Sequence, residues 1–151
     1  MKKILLVICF IVFFLLDQIT KSLIRNNIRI FETKKMMTFF NIVYVTNKGG
    51  AFGIFADFNI NQYFFIIMVI LILTILLYIV RGLHFLFVAI ILAGVFGNVY
   101  DRIVYNRVLD FIDFHVINIH YPSFNIADLY VVMSIILIFY NNIILIQDTK
   151  K

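Results

Sequence analysis

Cysteine, proline, tryptophan and charged side chains are all scarce in this chain. Its 151 residues include one cysteine, one proline and no tryptophan, and 14% of them are charged. A single cysteine, Cys9, forbids an internal disulfide. Soluble domains are about a quarter charged, so this chain has too few charges to cover a water-facing surface. With six glycines in addition to the one proline, it is neither collagen-like nor a flexible linker.

Apolar residues are abundant. The chain is 64% hydrophobic and 17% aromatic, with a mean hydropathy of +1.04. This composition is typical of a protein that lies in a lipid bilayer. The net charge of +5 comes from lysines and arginines scattered in runs no longer than two, a pattern that argues against nucleic acid and favours anionic membrane lipid as the partner.

Four apolar stretches are long enough to be membrane spans, since about 20 apolar residues cross the ~30 Å hydrocarbon core. The predicted spans are 4–24, 63–80, 83–102 and 127–146. The first is kept as a helix rather than a cleaved signal peptide, because no small-x-small site follows Leu16. Four crossings put both termini on one side of the membrane.

The segments 26–62 and 103–127 then share the opposite side. Within them, residues 39–46 and 108–120 are rich in aromatic and β-branched residues and predict strands, the first ending at a glycine-containing turn. The predicted fold is therefore an all-α polytopic membrane protein of one domain, 1–151, in which four transmembrane helices carry a small β-sheet on one face. Counting basic residues would place the termini outside, whereas Lys2 and Lys3 before the first span favour the inside, and orientation stays open.

All but one of the eight acidic residues fall at or near the face that carries the sheet. They are Asp17, Glu32, Asp57, Asp101, Asp110, Asp113 and Asp128. Carboxylates beside hydrocarbon are costly, so each is expected to be paired or functional. Asp17 and Lys21 stand i,i+4 on a helix, which predicts an ion pair. Asn98, Asp101 and Arg102 also share one helical face, which predicts a positioning network.

Two carboxylates stand out because apolar residues flank them. Asp110 lies between Leu109 and Phe111, and Asp128 lies one turn into the fourth span, three residues after the candidate N-cap Asn125. Two such groups brought together at a membrane boundary would suit an aspartic protease, because like charges close together leave one carboxyl protonated while the other polarises water.

Other chemistries have little support. His84, His115 and His120 lack the spacing of a metal site, so a metal site is not expected. Ser22 adjoins Lys21, but adjacent helical residues point apart, which argues against a Ser-Lys dyad. Gly94 and Gly97 are interpreted as small residues that allow close helix packing.

Five sequence blocks resemble, in the same order, those of the type II lipoprotein signal peptidases. The blocks are Asp17-Gln18-Ile19-Thr20-Lys21, Asn47-Lys48-Gly49-Gly50-Ala51-Phe52-Gly53, Gly94-Val95-Phe96-Gly97-Asn98-Val99-Tyr100-Asp101-Arg102, Val108-Leu109-Asp110-Phe111 and Phe124-Asn125-Ile126-Ala127-Asp128. Any one of them would be weak alone. In order, and together with four spans, they resemble that family across nearly the whole chain.

The resemblance implies a monomeric aspartic endopeptidase of the bacterial cytoplasmic membrane, needing no cofactor, that removes the signal peptide from diacylglyceryl-modified prolipoproteins just before the lipidated cysteine. Asp110 and Asp128 would be the catalytic pair. The supporting or substrate-binding residues would be Asp17, Lys21, Asn47, Asn98, Asp101, Arg102 and Asn125. The resemblance also implies cytoplasmic termini, an extracytoplasmic sheet and an active site near the outer leaflet.

Two other classes stay open on the residues alone. A small proton-coupled transporter or channel would also place polar groups on helices of a bundle, although here the acids gather at one face and the span 63–80 carries no charge. A noncatalytic scaffold would predict that neither Asp110 nor Asp128 matters individually.

Overall fold

The computed structural model describes residues 2–49, 63–64, 66–67, 69–71 and 85–148. Its elements, in chain order, are α1 (Lys2–Asn27), β1 (Thr33–Met37), β2 (Phe40–Asn47), α2 (Phe85–Tyr105), β3 (Val108–Val116), β4 (Ile119–His120) and α3 (Ile126–Asp148). The described residues between 63 and 71 are helical, and most of the predicted span 63–80 lies outside the described residues, as do Asp57 and His84.

Helices α1 and α2 are the longest apolar elements. By length and composition, Lys3–Asn27 and Leu86–Tyr105 could each cross a membrane, and α3 contains a shorter apolar stretch, Ile126–Asn141. These helices match the predicted spans 4–24, 83–102 and 127–146. On α1 the apolar side chains face outward while Asp17 and Lys21 are fully buried. This inverts the pattern of a soluble helix, as expected where lipid is the solvent.

Small residues on α2 let α1 and α3 approach it closely. Ala89 and Ala93 are fully buried between the helices. A Cβ added to Gly94 would lie 2.5 Å from the backbone oxygen of Ala127 in α3, and one added to Gly97 would lie 2.5 Å from a carboxylate oxygen of Asp17 in α1. The interpretation of both glycines as packing residues is therefore confirmed.

The four strands form an antiparallel arrangement in the order β1-β2-β3-β4. The strands predicted at 39–46 and 108–120 are confirmed, with one difference: a turn at Ile117, whose φ is 55°, divides the second into β3 and β4. Strand β1 was not among the predictions. Its sequence, Thr-Lys-Lys-Met-Met, is exposed throughout and so lacks the alternation that marks a half-buried strand.

The segment after β4 folds back along β3 and sets up the start of α3. Phe124 forms an isolated bridge with Ile112, donating to its carbonyl at 3.1 Å and accepting from its N–H at 2.8 Å. Helix α3 then begins at Ile126, directly after the candidate N-cap Asn125. This return places Asn125 and the first turn of α3 beside Asp110 on β3.

Candidate active site

Asp110 and Asp128 come together where the sheet meets the helices. Asp110 lies on β3, opposite Val45 of β2, and is 4% exposed. Asp128 lies in the first turn of α3 and is half-buried. The negative charge of Asp128 acts on Asp110, and Asn125 contacts both residues. The geometry thus unites the two carboxylates that the sequence singled out.

Asn125 joins the pair through a reciprocal cap. Its side-chain oxygen accepts from the backbone N–H of Asp128 at 3.0 Å, and the Asp128 carboxylate accepts from the backbone N–H of Asn125 at 3.1 Å. The N-cap prediction for Asn125 is confirmed, and Asp128 closes the capping box. The side-chain amide of Asn125 also donates to Asp110 at 2.8 Å, so one fully buried residue holds both acids.

Three asparagines direct their NH₂ groups at this pair. Asn125 and Asn47 donate to the two oxygens of Asp110, at 2.8 and 3.2 Å, and Asn98 donates to Asp128 at 2.8 Å. Each amide oxygen is held elsewhere: that of Asn47, for example, accepts from the backbone N–H of Gly49 at 2.8 Å. Both carboxylates therefore sit among donors of fixed orientation.

A buried ion network lies beneath the pair. Lys21 is 2.9 Å from a carboxylate oxygen of Asp17 and 3.3 Å from one of Asp101, and Arg25 is 2.8 Å from the other oxygen of Asp101. Two positive and two negative charges cancel, which is what makes burial tolerable, because an unpaired buried charge would cost several kcal/mol. The Asp17–Lys21 ion pair is confirmed, and Asp101 belongs to the same network.

Arg102 approaches the pair from α2. It donates to the carbonyl oxygens of Gly49 at 2.9 Å and Asn98 at 3.3 Å, and it is 8% exposed. Its positive charge acts on Asp110 and Asp128. A guanidinium is well suited to this position because it can hold backbone oxygens while its charge still reaches the carboxylates.

Burial raises the pKa of Asp110 to about 7, with the negative charge of Asp128 as the second cause. The hydrogen bonds from Asn125 and Asn47 act in the opposite direction without cancelling the rise. A carboxyl whose pKa is raised this far can hold a proton near neutral pH, the state that suits a proton donor.

Asp113 belongs to a different cluster on the sheet. It accepts from Asn41 at 2.7 Å and lies 2.8 Å from a ring nitrogen of His120. Burial raises its pKa, but the hydrogen bonds from His120 and Asn41 outweigh that effect, so that the pKa falls below its ordinary value. Glu32, another of the acids grouped by the sequence, accepts from the backbone N–H of Arg29 at 2.8 Å.

Two residues that contribute to the site, Arg25 and Gln18, were not among the predicted site residues. Arg25 stacks over the ring of Tyr105 at 3.9 Å while pairing with Asp101, and its position four residues after Lys21 was the available signal. Gln18 donates to Asp17 and to the carbonyl of Gly97, at 3.0 and 3.2 Å. These contacts join α1 to α2. Among the described residues, no group of three or more His, Cys, Asp or Glu is arranged to hold a metal ion.

Comparison with known proteins shows the family of the chain. The family described as signal peptidase (SPase) II matches residues 9–144. The chain is 36% identical over 129 residues to the lipoprotein signal peptidase of Thermodesulfovibrio yellowstonii, covering 85% of this chain and 88% of that protein. It is 37% identical over 141 residues to the lipoprotein signal peptidase of Wigglesworthia glossinidia brevipalpis, covering 90% and 92%.

Solved structures agree as well. A bacterial membrane enzyme solved by the in meso method at 2.3 Å superposes with a TM-score of 0.76 at 30% identity, covering 95% of this chain and 88% of that one. A second, solved by the same method at 1.9 Å, gives a TM-score of 0.75 at 29% identity, with 90% of each chain covered. The chain therefore belongs to the signal peptidase II family.

Proposed function

We propose that this protein removes the signal peptide from diacylglyceryl-modified prolipoproteins, cleaving just before the lipidated cysteine, with Asp110 and Asp128 as the catalytic pair. Membership of the signal peptidase II family supports the reaction. The observation that carries the residue assignment is Asn125, which binds both carboxylates at once. No cofactor takes part in the proposed reaction.

The two aspartates take different roles. Asp128, which lies in the first turn of α3 where the helix dipole favours negative charge, acts as the base and takes a proton from a water molecule. The resulting hydroxide attacks the scissile carbonyl carbon while Asp110 gives its proton to the carbonyl oxygen. Collapse of the tetrahedral intermediate breaks the C–N bond, and the proton held by Asp128 passes to the leaving amine. As the carbonyl re-forms, the hydroxyl proton that came from Asp110 returns to Asp110, so both aspartates regain their starting protonation. The pKa of Asp110, about 7, suits the donor role.

The surrounding residues support this pair. Asn47 and Asn125 fix Asp110, Asn98 fixes Asp128, and Arg102 supplies positive charge close to where the oxyanion develops. Asp17, Lys21 and Asp101 hold the helices on which these groups are mounted.

The proposed membrane arrangement has four crossings in a single domain, 1–151, at about 4–24, 63–80, 83–102 and 127–146. Both termini are cytoplasmic, and the segments at about 26–62 and 103–127 lie outside the bacterial cytoplasmic membrane. The apolar α1 and α2 support the spans they contain. The active site then lies near the outer leaflet, and the protein works as a monomer in contact with membrane lipid, without a nucleic-acid partner.

Lipid should select the substrate as strongly as peptide sequence does. A diacylglyceryl group remains in hydrocarbon, with each buried CH₂ contributing about 0.8 kcal/mol, so it fixes the depth at which the scissile bond is presented. That anchoring removes much of the entropy of finding the aspartate pair. We therefore expect the modified prolipoprotein to be cleaved faster than the same chain with an unmodified cysteine.

A cleavage assay with purified protein tests the proposal. The wild type and the Asp110→Asn, Asp128→Asn and Asp113→Asn variants are compared on matched prolipoproteins with and without the diacylglyceryl group. Replacing either aspartate of the pair with asparagine should abolish turnover while the protein still folds, because an amide can neither take the water's proton nor return one. Asp113→Asn should retain most activity, since its contacts are to Asn41 and His120.

Each outcome has a distinct meaning. Substantial cleavage by Asp110→Asn or Asp128→Asn would refute the pair. If Asp113→Asn were inactive while the Asp110→Asn and Asp128→Asn variants stayed active, the catalytic carboxylate would be Asp113 instead of the proposed pair. Equal subsaturating rates on both substrates would make the protein a general membrane aspartic peptidase. Absence of cleavage by the wild type would reopen the transporter and scaffold alternatives.

A further inference from the structure

The ammonium group of Lys21 has all of its hydrogen-bond acceptors inside the protein. Its side chain is fully buried, and its nitrogen lies 2.9 Å from Asp17 and 3.3 Å from Asp101. The third partner is the side-chain oxygen of Asn98, at 2.9 Å. An ammonium has three N–H donors, so each one has an acceptor. Two of these acceptors serve charge balance, whereas the third leads toward the active site.

Asn98 connects Lys21 to the catalytic pair. Its amide oxygen accepts from Lys21 and, at 3.2 Å, from the side chain of Asn125, and its NH₂ group donates to Asp128 at 2.8 Å. Rotating the amide by 180° would direct its oxygen at the Asp128 carboxylate and its NH₂ at two other donors. Every contact of the flipped amide would be repulsive. The Lys21 ammonium therefore helps to fix the orientation in which the NH₂ group of Asn98, and not its oxygen, faces Asp128.

We propose that Lys21 is a positioning residue for Asp128: by holding the amide oxygen of Asn98, it keeps the NH₂ group of Asn98 turned toward the carboxylate that serves as the base. The proposal rests on the peptidase function proposed above. It assigns Lys21 an effect on catalysis that is separate from its part in neutralising Asp17 and Asp101.

The test separates these two parts by keeping the network neutral. Removing Lys21 alone would leave Asp17 and Asp101 with one cation, Arg25, and an uncompensated buried charge. Combining Lys21→Met with Asp17→Asn removes one charge of each sign. The matched control variant combines Lys21→Gln with Asp17→Asn. It has the same net charge as the methionine variant, and its glutamine has a similar volume but keeps an N–H donor within reach of Asn98. The wild type, in which the network is also neutral, is the reference.

The measurements are thermal unfolding, kcat, KM and the pH profile of kcat on a diacylglyceryl-modified prolipoprotein. We expect both double variants to fold, with KM within about threefold of the reference. The methionine variant should lose kcat by about tenfold or more, the size of one hydrogen bond to a charged group. The acidic limb of its profile should move to higher pH, because the pair then holds its proton more tightly. The glutamine variant should recover most of the loss.

Equal kcat and equal pH profiles in the two folded double variants would overturn the proposal and leave Lys21 a purely structural residue. If neither folds, the same two Lys21 substitutions are compared in an Asp101→Asn background, which removes the other carboxylate that Lys21 contacts. Equal kcat and an equal acidic limb in that pair would then overturn the proposal, whereas a loss with an alkaline shift confined to the methionine variant supports it. Failure of the wild type to cleave would instead refute the proposed function.

Discussion

Asp110 should make the protein less stable at alkaline pH, and replacing it should reverse that effect. Its pKa rises from 3.8 in the unfolded chain to about 7 in the folded protein. A carboxyl with a raised pKa contributes stability below its unfolded pKa, and this contribution is lost as pH rises through the folded value. The window is therefore about pH 4 to 7. Three pKa units at 1.36 kcal/mol each correspond to about 4 kcal/mol in total.

Asp110→Asn removes this titration but disturbs two hydrogen bonds. Asn125 and Asn47 each donate to one oxygen of Asp110. An amide offers a single oxygen, so one donor loses its acceptor at a cost of about 1–3 kcal/mol. That cost does not depend on pH. The stability of the variant relative to wild type should therefore rise by about 2–3 kcal/mol between pH 5 and pH 8, from near zero to clearly positive.

Thermal unfolding of both proteins in one detergent, at pH 5 and pH 8, measures the difference. At roughly 2–4 °C per kcal/mol for a chain of this size, the gap in Tm should widen by about 5–10 °C at pH 8. Asp113→Asn is the control with the opposite sign: the pKa of Asp113 is lowered, so its contribution is present above pH 4 and that variant should be less stable than wild type at both pH values. A pH-independent gap for Asp110→Asn would refute the reasoning.

Two further predictions concern packing and topology. Gly97→Ala would bring a methyl carbon to 2.5 Å from the Asp17 carboxylate and should lower stability by about 1–3 kcal/mol; an unchanged Tm would show that the helices can separate there at no cost. In a background lacking Cys9, a cysteine at Lys35 should react with an impermeant maleimide added outside, whereas one at Thr149 should not. The reverse labelling would invert the proposed orientation.

The helices and two of the strands could be predicted because their signals are local. A bilayer imposes a length and an apolar composition on each span, and α1 and α2 satisfy both. The i,i+4 spacing of Asp17 and Lys21 fixes their proximity once a helix is assumed, and they pair at 2.9 Å. The motif blocks supplied the two aspartates, whose convergence depends on the turn between β4 and α3.

The contacts between elements could not be predicted. Lys21 and Asn98 are 77 positions apart, and nothing near either residue indicates that an ammonium meets an amide oxygen there. Asp101 was expected to act with its neighbour Arg102, yet its ion pairs are with Lys21 and Arg25 on another helix. Which charges share a buried site depends on the packing of two helices, α1 and α2, and that packing is not encoded in the spacing along either of them.

The same packing explains how a carboxyl with an unfavourable environment is retained. At neutral pH the ionised Asp110 is destabilised by burial and by Asp128, whereas hydrogen-bond donors and the positive charges of Lys21 and Arg102, all on other elements, offset this. Asn47 comes from β2 and Asn125 from the cap of α3, while Asp17 of α1 accepts the N–H of Ala127 in the first turn of α3 at 3.2 Å. Shifting any one of these elements would leave a buried polar group unpaired, at about 1–3 kcal/mol for each group. The aspartate pair is therefore held in place by groups whose own burial depends on the fold being complete, and the raised pKa of Asp110 is a property of the assembled helices and sheet rather than of that aspartate alone.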